Sequence, residues 1–330
     1  MSEFRKILIT GTGKADTYND TNIEVDKDEI LLKVHYCGIC RTDGKLLAEG
    51  HRDLLLPCVP GHEFCGSDTN GNLYAVWPAA SCGTCRFCTA GKENLCPNIE
   101  IAGFSRPGAM ADYVAVPQKS LFAAPEHCQT CHLIFAEPLA CAVNAVEKIR
   151  TNSESSPDSV LILGGGVCGL LCAAAADYFG IRPVIIENSP MKRKKIKQFT
   201  EENNFALYDS VPEKESFGSL INACTDADAF FKTLKKIHPA STAVFFSGFS
   251  NSAPPISPDI LNSIHYRELS VTGAYGCSKS HFSTALEIIS EAGLNFDALT
   301  ENIICLEQAV DKITKAYSGK YLRFIIDMNE

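Results

Sequence analysis

No stretch of this chain is long and apolar enough to cross a membrane as a helix, which takes about twenty such residues. The longest apolar run, residues 160–176, contains three consecutive glycines and stops at Asp177; it reads as a buried strand, a turn and a helix. The opening Met1-Ser2-Glu3-Phe4-Arg5 holds no apolar export signal. Basic charge is in deficit: 30 lysines and arginines against 39 acidic residues leave a net charge of −9. That balance argues against the basic face of a nucleic-acid binder. Internal repeats are missing, and 45% hydrophobic with 21% charged residues exclude disordered, collagen-like and coiled-coil chains. What remains is an acidic globular chain of 330 residues, too long for one core and expected to form two domains.

Cysteine, by contrast, is abundant, with 16 in the chain. Without an export signal a disulfide framework is not expected; reduced cytoplasmic thiols, some of them metal ligands, are. Cys82-Gly83-Thr84-Cys85-Arg86-Phe87-Cys88 is followed by Cys96, giving spacings of two, two and seven residues in a short lobe. Four thiolates so placed can close a tetrahedral zinc site with no open position, which makes it structural. The alternative is an iron–sulfur cluster, which also takes four cysteines.

A second group is Cys40, in Tyr36-Cys37-Gly38-Ile39-Cys40-Arg41-Thr42-Asp43, with His62, in Pro60-Gly61-His62-Glu63. Thiolate and imidazole are good zinc ligands, and 22 residues apart they can come from neighbouring strands and loops. Glu137, in Phe135-Ala136-Glu137-Pro138-Leu139, either completes a mixed site or is a first-turn acid favoured by its helix dipole. The third group is Gly164-Gly165-Gly166-Val167-Cys168-Gly169. It follows an apolar strand and opens an alanine-rich helix over 170–178, and a second strand ends at Glu187-Asn188. That context is the dinucleotide fingerprint, in which glycines allow close backbone approach and the helix N-terminus faces a pyrophosphate.

Elsewhere, β-branched runs at 6–9, 29–34 and 113–116 read as short strands joined by loops. The polar, proline-marked segment 151–158 reads as a surface connection. Residues 184–186, 243–246 and 269–271 read as buried parallel strands, 281–293 and 306–318 as helices, and 321–326 as a final strand.

Taken together, Gly38-Ile39-Cys40, Gly61-His62-Glu63, the four-cysteine lobe, Glu137-Pro138-Leu139, the glycine turn and Gly273-Ala274-Tyr275-Gly276 resemble the zinc-dependent medium-chain alcohol dehydrogenases. Glu137-Pro138-Leu139 is most similar to the polyol and threonine dehydrogenase branch. The resemblance implies an α/β architecture with a GroES-like β-barrel catalytic domain, 1–145 and 275–330, carrying a zinc lobe at about 81–97. A Rossmann nucleotide-binding domain of doubly wound parallel sheet, 146–274, interrupts it, with the active site in the cleft between the two. It further implies that Cys40, His62 and Glu137 hold a catalytic zinc, with Glu63 as an exchangeable ligand. Thr42 would relay the substrate proton, Asp43 would orient His62, and Arg41 would sit near the cofactor phosphates. Gly164, Gly166, Val167 and Gly169 would hold the dinucleotide, with Glu187, Asn188 and Arg193 deciding between NAD and NADP. The activity implied is hydride transfer between NAD(P) and a secondary alcohol such as a polyol or amino alcohol, in a cytoplasmic homodimer or homotetramer with one catalytic and one structural zinc. The rival readings are a zinc-independent double-bond reductase and a non-catalytic zinc-binding protein of the same fold.

Three departures qualify the resemblance. Lys45 stands where many members have a histidine five residues after the cysteine ligand. Only fifteen residues separate Gly66 from Cys82, so the barrel is trimmed there. The acid expected after the second strand falls on Asn188 by family spacing, and Asn188, Ser189, Lys192 and Arg193 favour NADP unless Glu187, one residue earlier, faces the ribose. Other signals are discounted. Cys128-Gln129-Thr130-Cys131-His132 matches a haem-attachment pattern but leads straight into the Glu137 helix. Lys192-Arg193-Lys194-Lys195 reads as a solvated helix face. Cys37, Cys58, Cys65, Cys141, Cys168, Cys172, Cys224, Cys277 and Cys305 read as small buried hydrophobes, and His51, His127, His238, His265 and His281 as structural or surface residues.

Overall fold

A computed structural model describes residues 3–151, 157–249 and 256–329. It divides into two compact units, Met1–Glu137 with Ser278–Glu330, and Pro138–Cys277. Most of the connection expected at 151–158 lies outside the described residues. No helix among them is long and apolar enough to cross a membrane.

In the first unit the chain organises around one long strand, Glu29–Ile39. Its side chains at Leu32, Val34, Cys37 and Ile39 are buried. Along its first half it pairs antiparallel with Tyr113–Pro117, and along its second half with Glu63–Ser67 and with Arg323–Asp327. Leu73–Val76, Leu121–Ala123 and Thr300–Ile304 complete a seven-stranded sheet, in which only Thr300–Ile304 and Arg323–Asp327 run parallel. Leu32, Val34, Phe64, Val114, Ile313 and Phe324 meet in one apolar core. A separate hairpin joins Phe4–Gly11 to Lys14–Asp20. Its second strand, Lys-Ala-Asp-Thr-Tyr-Asn-Asp, has no buried residue; backbone pairing forms it, which no hydrophobic pattern announced.

The later elements of this unit differ from expectation at their ends. The helix Lys279–Glu291 begins two residues before the expected 281 because Ser278 caps it. The Ser278 hydroxyl accepts from the His281 amide at 3.5 Å, and His281 Nδ1 accepts from the Ser278 amide at 3.0 Å, so two orphan donors are satisfied reciprocally. The expected helix 306–318 opens as a single tight turn, Leu306–Gln308, before Ala309–Tyr317. The last strand starts at Arg323 rather than at 321.

The second unit is an all-parallel six-stranded sheet. Its order is Ala206–Tyr208, Arg182–Ile186, Ser159–Leu163, Phe217–Asn222, Ile237–Phe245, Ser270–Gly273. Numbered along the chain this is 3-2-1-4-5-6, the doubly wound order that binds a ligand where strand direction of travel reverses. That switch lies between Ser159–Leu163 and Phe217–Asn222. Phe217–Asn222 is fully buried yet escaped the sequence, because Gly218, Ser219 and Asn222 break its apolar run. Their polarity is satisfied internally: Gly218 N–H donates to Ser159 Oγ and Ser219 Oγ–H to the Ser159 carbonyl, both at 3.1 Å.

The loop after Ser159–Leu163 is shaped by glycine. Gly164 has φ +107°, which L side chains rarely adopt. A Cβ at Gly169 would overlap the Gly164 carbonyl oxygen. The helix Val167–Tyr178 follows at once, three residues earlier than the expected 170. Gly169→Ala is expected to destabilise this unit by about 1–3 kcal/mol through overpacking and to weaken dinucleotide binding; calorimetry and cofactor titration check both.

Candidate functional site

Four sulfurs gather in the lobe after the strand Ala79–Ala80. The Cys85–Cys88 and Cys82–Cys96 sulfurs are 3.5 Å apart and the Cys82–Cys88 pair 3.9 Å. A tetrahedron of Zn–S bonds of about 2.3 Å has edges of about 3.8 Å, so the thiols already stand at the corners that zinc requires. Backbone amides support the thiolate form: Cys85 N–H donates to Cys82 Sγ at 3.4 Å and Cys82 N–H to Cys96 Sγ at 3.5 Å. Amides of Thr84 and Cys85 bring the Cys82 thiol down to about 6, whereas burial pushes Cys88 up to about 11. This is a possible metal site, and all sixteen cysteines of the chain are free thiols.

The second cluster is assembled by sheet register. Gly38 lies opposite Glu63 across the antiparallel ladder, and Phe324 lies opposite Ile39 on the other edge. Cys40, which leaves the long strand, therefore meets His62 and Glu63, which open the next one, and Arg323, which opens the last. Ligand atoms of Cys40, His62 and Glu63 lie within 4.8 Å of one another. Cys40 is also the N-cap of the helix Arg41–Glu49. Its amide donates to Asp43 Oδ2 at 2.8 Å, while Asp43 Oδ1 stands 3.4 Å from His62 Nδ1. Thr42 Oγ1 is 3.5 Å from Cys40 Sγ.

The charges here are buried and compensate one another. Burial opposes the Cys40 thiolate, but Arg323 and His62 prevail and bring the thiol to about 6. Burial likewise opposes His62 protonation, and Asp43 and Cys40 overcome it, so the imidazole stays well above its usual range. Burial pushes the Glu63 carboxyl well above the usual carboxylate range, against the pull of Arg323. Arg323 Nε lies 3.0 Å from Glu63 Oε2, and its Nη1 donates to the Ile39 carbonyl at 2.9 Å. Glu63 Oε1 is buried with no hydrogen-bond partner among the described residues. A thiolate-prone cysteine, an imidazole oriented by a carboxylate and an unsatisfied carboxylate oxygen fit a divalent cation such as zinc.

In the second unit the glycine loop meets the end of the strand Arg182–Ile186. Glu187, the first residue after it, is 5% exposed. Its carboxylate accepts from the Gly165 amide at 3.1 Å and the Ser189 amide at 2.9 Å. A Cβ at Gly165 would press on Glu187 Cβ at 2.8 Å, whereas one at Gly166 meets nothing within 4 Å.

Known proteins agree with this geometry. Residues 26–126 match the model of the alcohol dehydrogenase GroES-like domain. L-galactonate-5-dehydrogenase of Escherichia coli K12 is 26% identical over 89% of this chain and 89% of its own. L-threonine 3-dehydrogenase of Alteromonas mediterranea is 25% identical over 91% of this chain and 93% of its own. A candidate zinc-binding dehydrogenase from Sinorhizobium meliloti 1021, solved with NADP bound, superposes with TM-score 0.86 at 27% identity, covering 99% and 100% of the two chains. These likenesses support a place in the zinc-dependent medium-chain alcohol dehydrogenase family.

Within that family frame, the residues expected at the site fall as follows. Cys40, Thr42, Asp43, His62 and Glu63 converge. Glu137 does not join the Cys40–His62–Glu63 set; it lies in the first turn of the helix Ala136–Thr151, near enough to raise the Glu63 carboxyl by its charge. Arg41 and Lys45 are exposed on the helix Arg41–Glu49, and Arg41 Nε donates to the Tyr317 carbonyl at 3.2 Å. Arg193 Nη1 donates to the carbonyls of Glu187 at 2.7 Å and Asn188 at 2.9 Å. Arg323 was missed; its only sequence signal is an arginine opening an otherwise apolar final strand. Of the nine cysteines read as buried, Cys141, Cys168, Cys224 and Cys305 are only half-buried. His132, in the haem-like pattern, pairs with Asp297 at 3.0 Å. Cys88→Ala is expected to lower bound zinc and to drop the melting temperature by roughly 5 °C or more, since metal binding is folding free energy here; metal analysis and calorimetry check it.

Proposed function

We propose that this chain is a zinc-dependent oxidoreductase that moves a hydride between a secondary alcohol and a nicotinamide cofactor, with polyols as its substrate class. The observation that carries the reading is the buried convergence of Cys40, His62 and Glu63, with Thr42 beside the sulfur. When bound, zinc supplies a Lewis acid that acidifies a coordinated hydroxyl, and NAD(P) supplies the hydride acceptor. Cys40 and His62 would hold the metal, and Asp43 fixes the imidazole so that Nε2 points away from the carboxylate. Glu63 would be an exchangeable further ligand, with Arg323 held beside its other oxygen. Glu137 remains a proposed further ligand. The Thr42 hydroxyl would accept the substrate proton and give its own to water. The four lobe cysteines would hold a second, structural zinc.

On the cofactor, the residues that favoured NADP are otherwise engaged. Arg193 is committed to two backbone carbonyls, and Ser189 caps the helix Pro190–Glu202 by accepting from the Lys192 amide at 3.4 Å. Glu187 directly follows its strand and faces the glycine loop, where a carboxylate accepts from a ribose 2′-hydroxyl and repels a 2′-phosphate. These placements support NAD, although the Sinorhizobium neighbour binds NADP. Arg41, Gly164, Gly166, Val167 and Gly169 would contact the dinucleotide. A reducing cytoplasmic setting and a homodimer or homotetramer belong to the same reading.

Cys40→Ser and His62→Ala are each expected to cut turnover by about 1,000-fold or more while NADH binding, followed by its fluorescence, persists. Retention of most activity in either variant would refute zinc catalysis. Wild-type kcat/KM is expected to favour NAD over NADP, and Glu187→Gln to shrink that preference by about tenfold. A wild-type preference for NADP would reverse the cofactor assignment.

A further inference from the structure

Lys45 takes the place of a family histidine, and one imidazole close to the candidate metal site is His51, which the sequence marked only as structural or surface. The helix Arg41–Glu49 stops at Gly50, whose φ of +76° turns the chain back. The returning loop is fastened to Phe104: the Leu55 amide donates to the Phe104 carbonyl at 2.9 Å. The buried Phe104 ring then stands edge-on to two imidazoles, 5.3 Å from His62 and 5.4 Å from His51. One aromatic ring separates His51 from a proposed zinc ligand.

The orientation of His51 decides what it can do. Its Nδ1 accepts from the Asp53 amide at 3.2 Å, so in the neutral ring the hydrogen sits on Nε2. The charged groups facing it are Asp53, with Oδ2 at 3.6 Å from Nδ1, and Arg52 and Lys45. Burial leads in lowering its pKa, and the two cations add to it against Asp53, so the ring is neutral at physiological pH. Nε2 has no partner among the described residues and the side chain is 21% exposed. A neutral ring with its hydrogen on Nε2 donates there and cannot accept a proton, so His51 does not inherit the relay role that Lys45 vacates.

We propose that His51 is a specificity-determining residue of this site, whose Nε2–H donates to a hydroxyl oxygen on the carbon next to the one oxidised. The proposal rests on the dehydrogenase reading and narrows its substrates to vicinal diols and longer polyols over simple alcohols. The matched probes are 2,3-butanediol and 2-butanol, assayed with the zinc-loaded enzyme. His51→Leu is expected to lower the ratio of kcat/KM between diol and mono-alcohol by about tenfold, chiefly through KM for the diol. His51→Asn, which keeps an N–H donor, should restore part of that ratio. A readout without turnover accompanies it: nitrogen-15 NMR of the His51 ring should place the hydrogen on Nε2 at pH 7 and shift when 2,3-butanediol is added. An unchanged ratio in His51→Leu, or a hydrogen on Nδ1, overturns the proposal. Failure to oxidise any alcohol would instead strike the dehydrogenase reading, and the NMR response to the diol would still decide the role of His51.

Discussion

Gly38 faces Glu63 across an antiparallel ladder, and the meeting of Cys40, His62 and Glu63 follows from that pairing. The two residues approach so closely that a Cβ on Gly38 would stand 2.7 Å from Glu63 Oε2. A slip of one residue would turn Glu63 to the opposite face of the sheet from Gly38, because side chains alternate with period two. The register is held from both edges, by Glu63–Ser67 on one and Arg323–Asp327 on the other. A bulge at His35, between Val34 and Tyr36, shifts the pairing just before the site and re-aims its end, as bulges near functional sites do.

Burying this much charge is costly unless each group has a counterpart. Arg323 compensates Glu63, and Asp43 serves Cys40 and His62 at once, one oxygen to each. Of these groups Glu63 alone keeps an oxygen, Oε1, free of hydrogen bonds and ion pairs among the described residues, a donor suited to a divalent cation. The lobe sulfurs solve a different problem. Cys82, Cys85 and Cys88 are half-exposed, Cys96 is buried, and amides of the same short lobe hold them, so their geometry depends on local turns rather than on the sheet. One site is thus made by long-range register and the other by short-range chain geometry, although cysteine serves both.

The two sites were legible to different degrees for that reason. Cys82, Cys85, Cys88 and Cys96 announced themselves by spacing, and the glycine turn by its place between an apolar strand and a helix. Strands with apolar patterns, such as Glu29–Ile39 and Arg182–Ile186, could be read; Lys14–Asp20 and Phe217–Asn222 could not, because backbone pairing and internal polar bonds stabilise them without a hydrophobic signature. Cys40 and His62 were paired by ligand chemistry and by family resemblance, and only the register explains their meeting. Glu187 rather than Asn188 follows its strand because the strand stops at Ile186, a boundary that periodicity fixes only to within a residue or two.

By itself, then, the sequence determined the class of each element and the chemistry available to it: a parallel nucleotide sheet, an all-cysteine lobe, a thiolate and an imidazole fit for zinc. These are properties of residues close together in the chain, where spacing constrains geometry directly. The tertiary structure alone decided that Arg323 pairs with Glu63, that Glu63 stands beside Cys40 and His62, and that His51 shares Phe104 with His62. Each of those contacts joins segments far apart in sequence, and their positions follow from sheet register and loop closure, which no local pattern encodes.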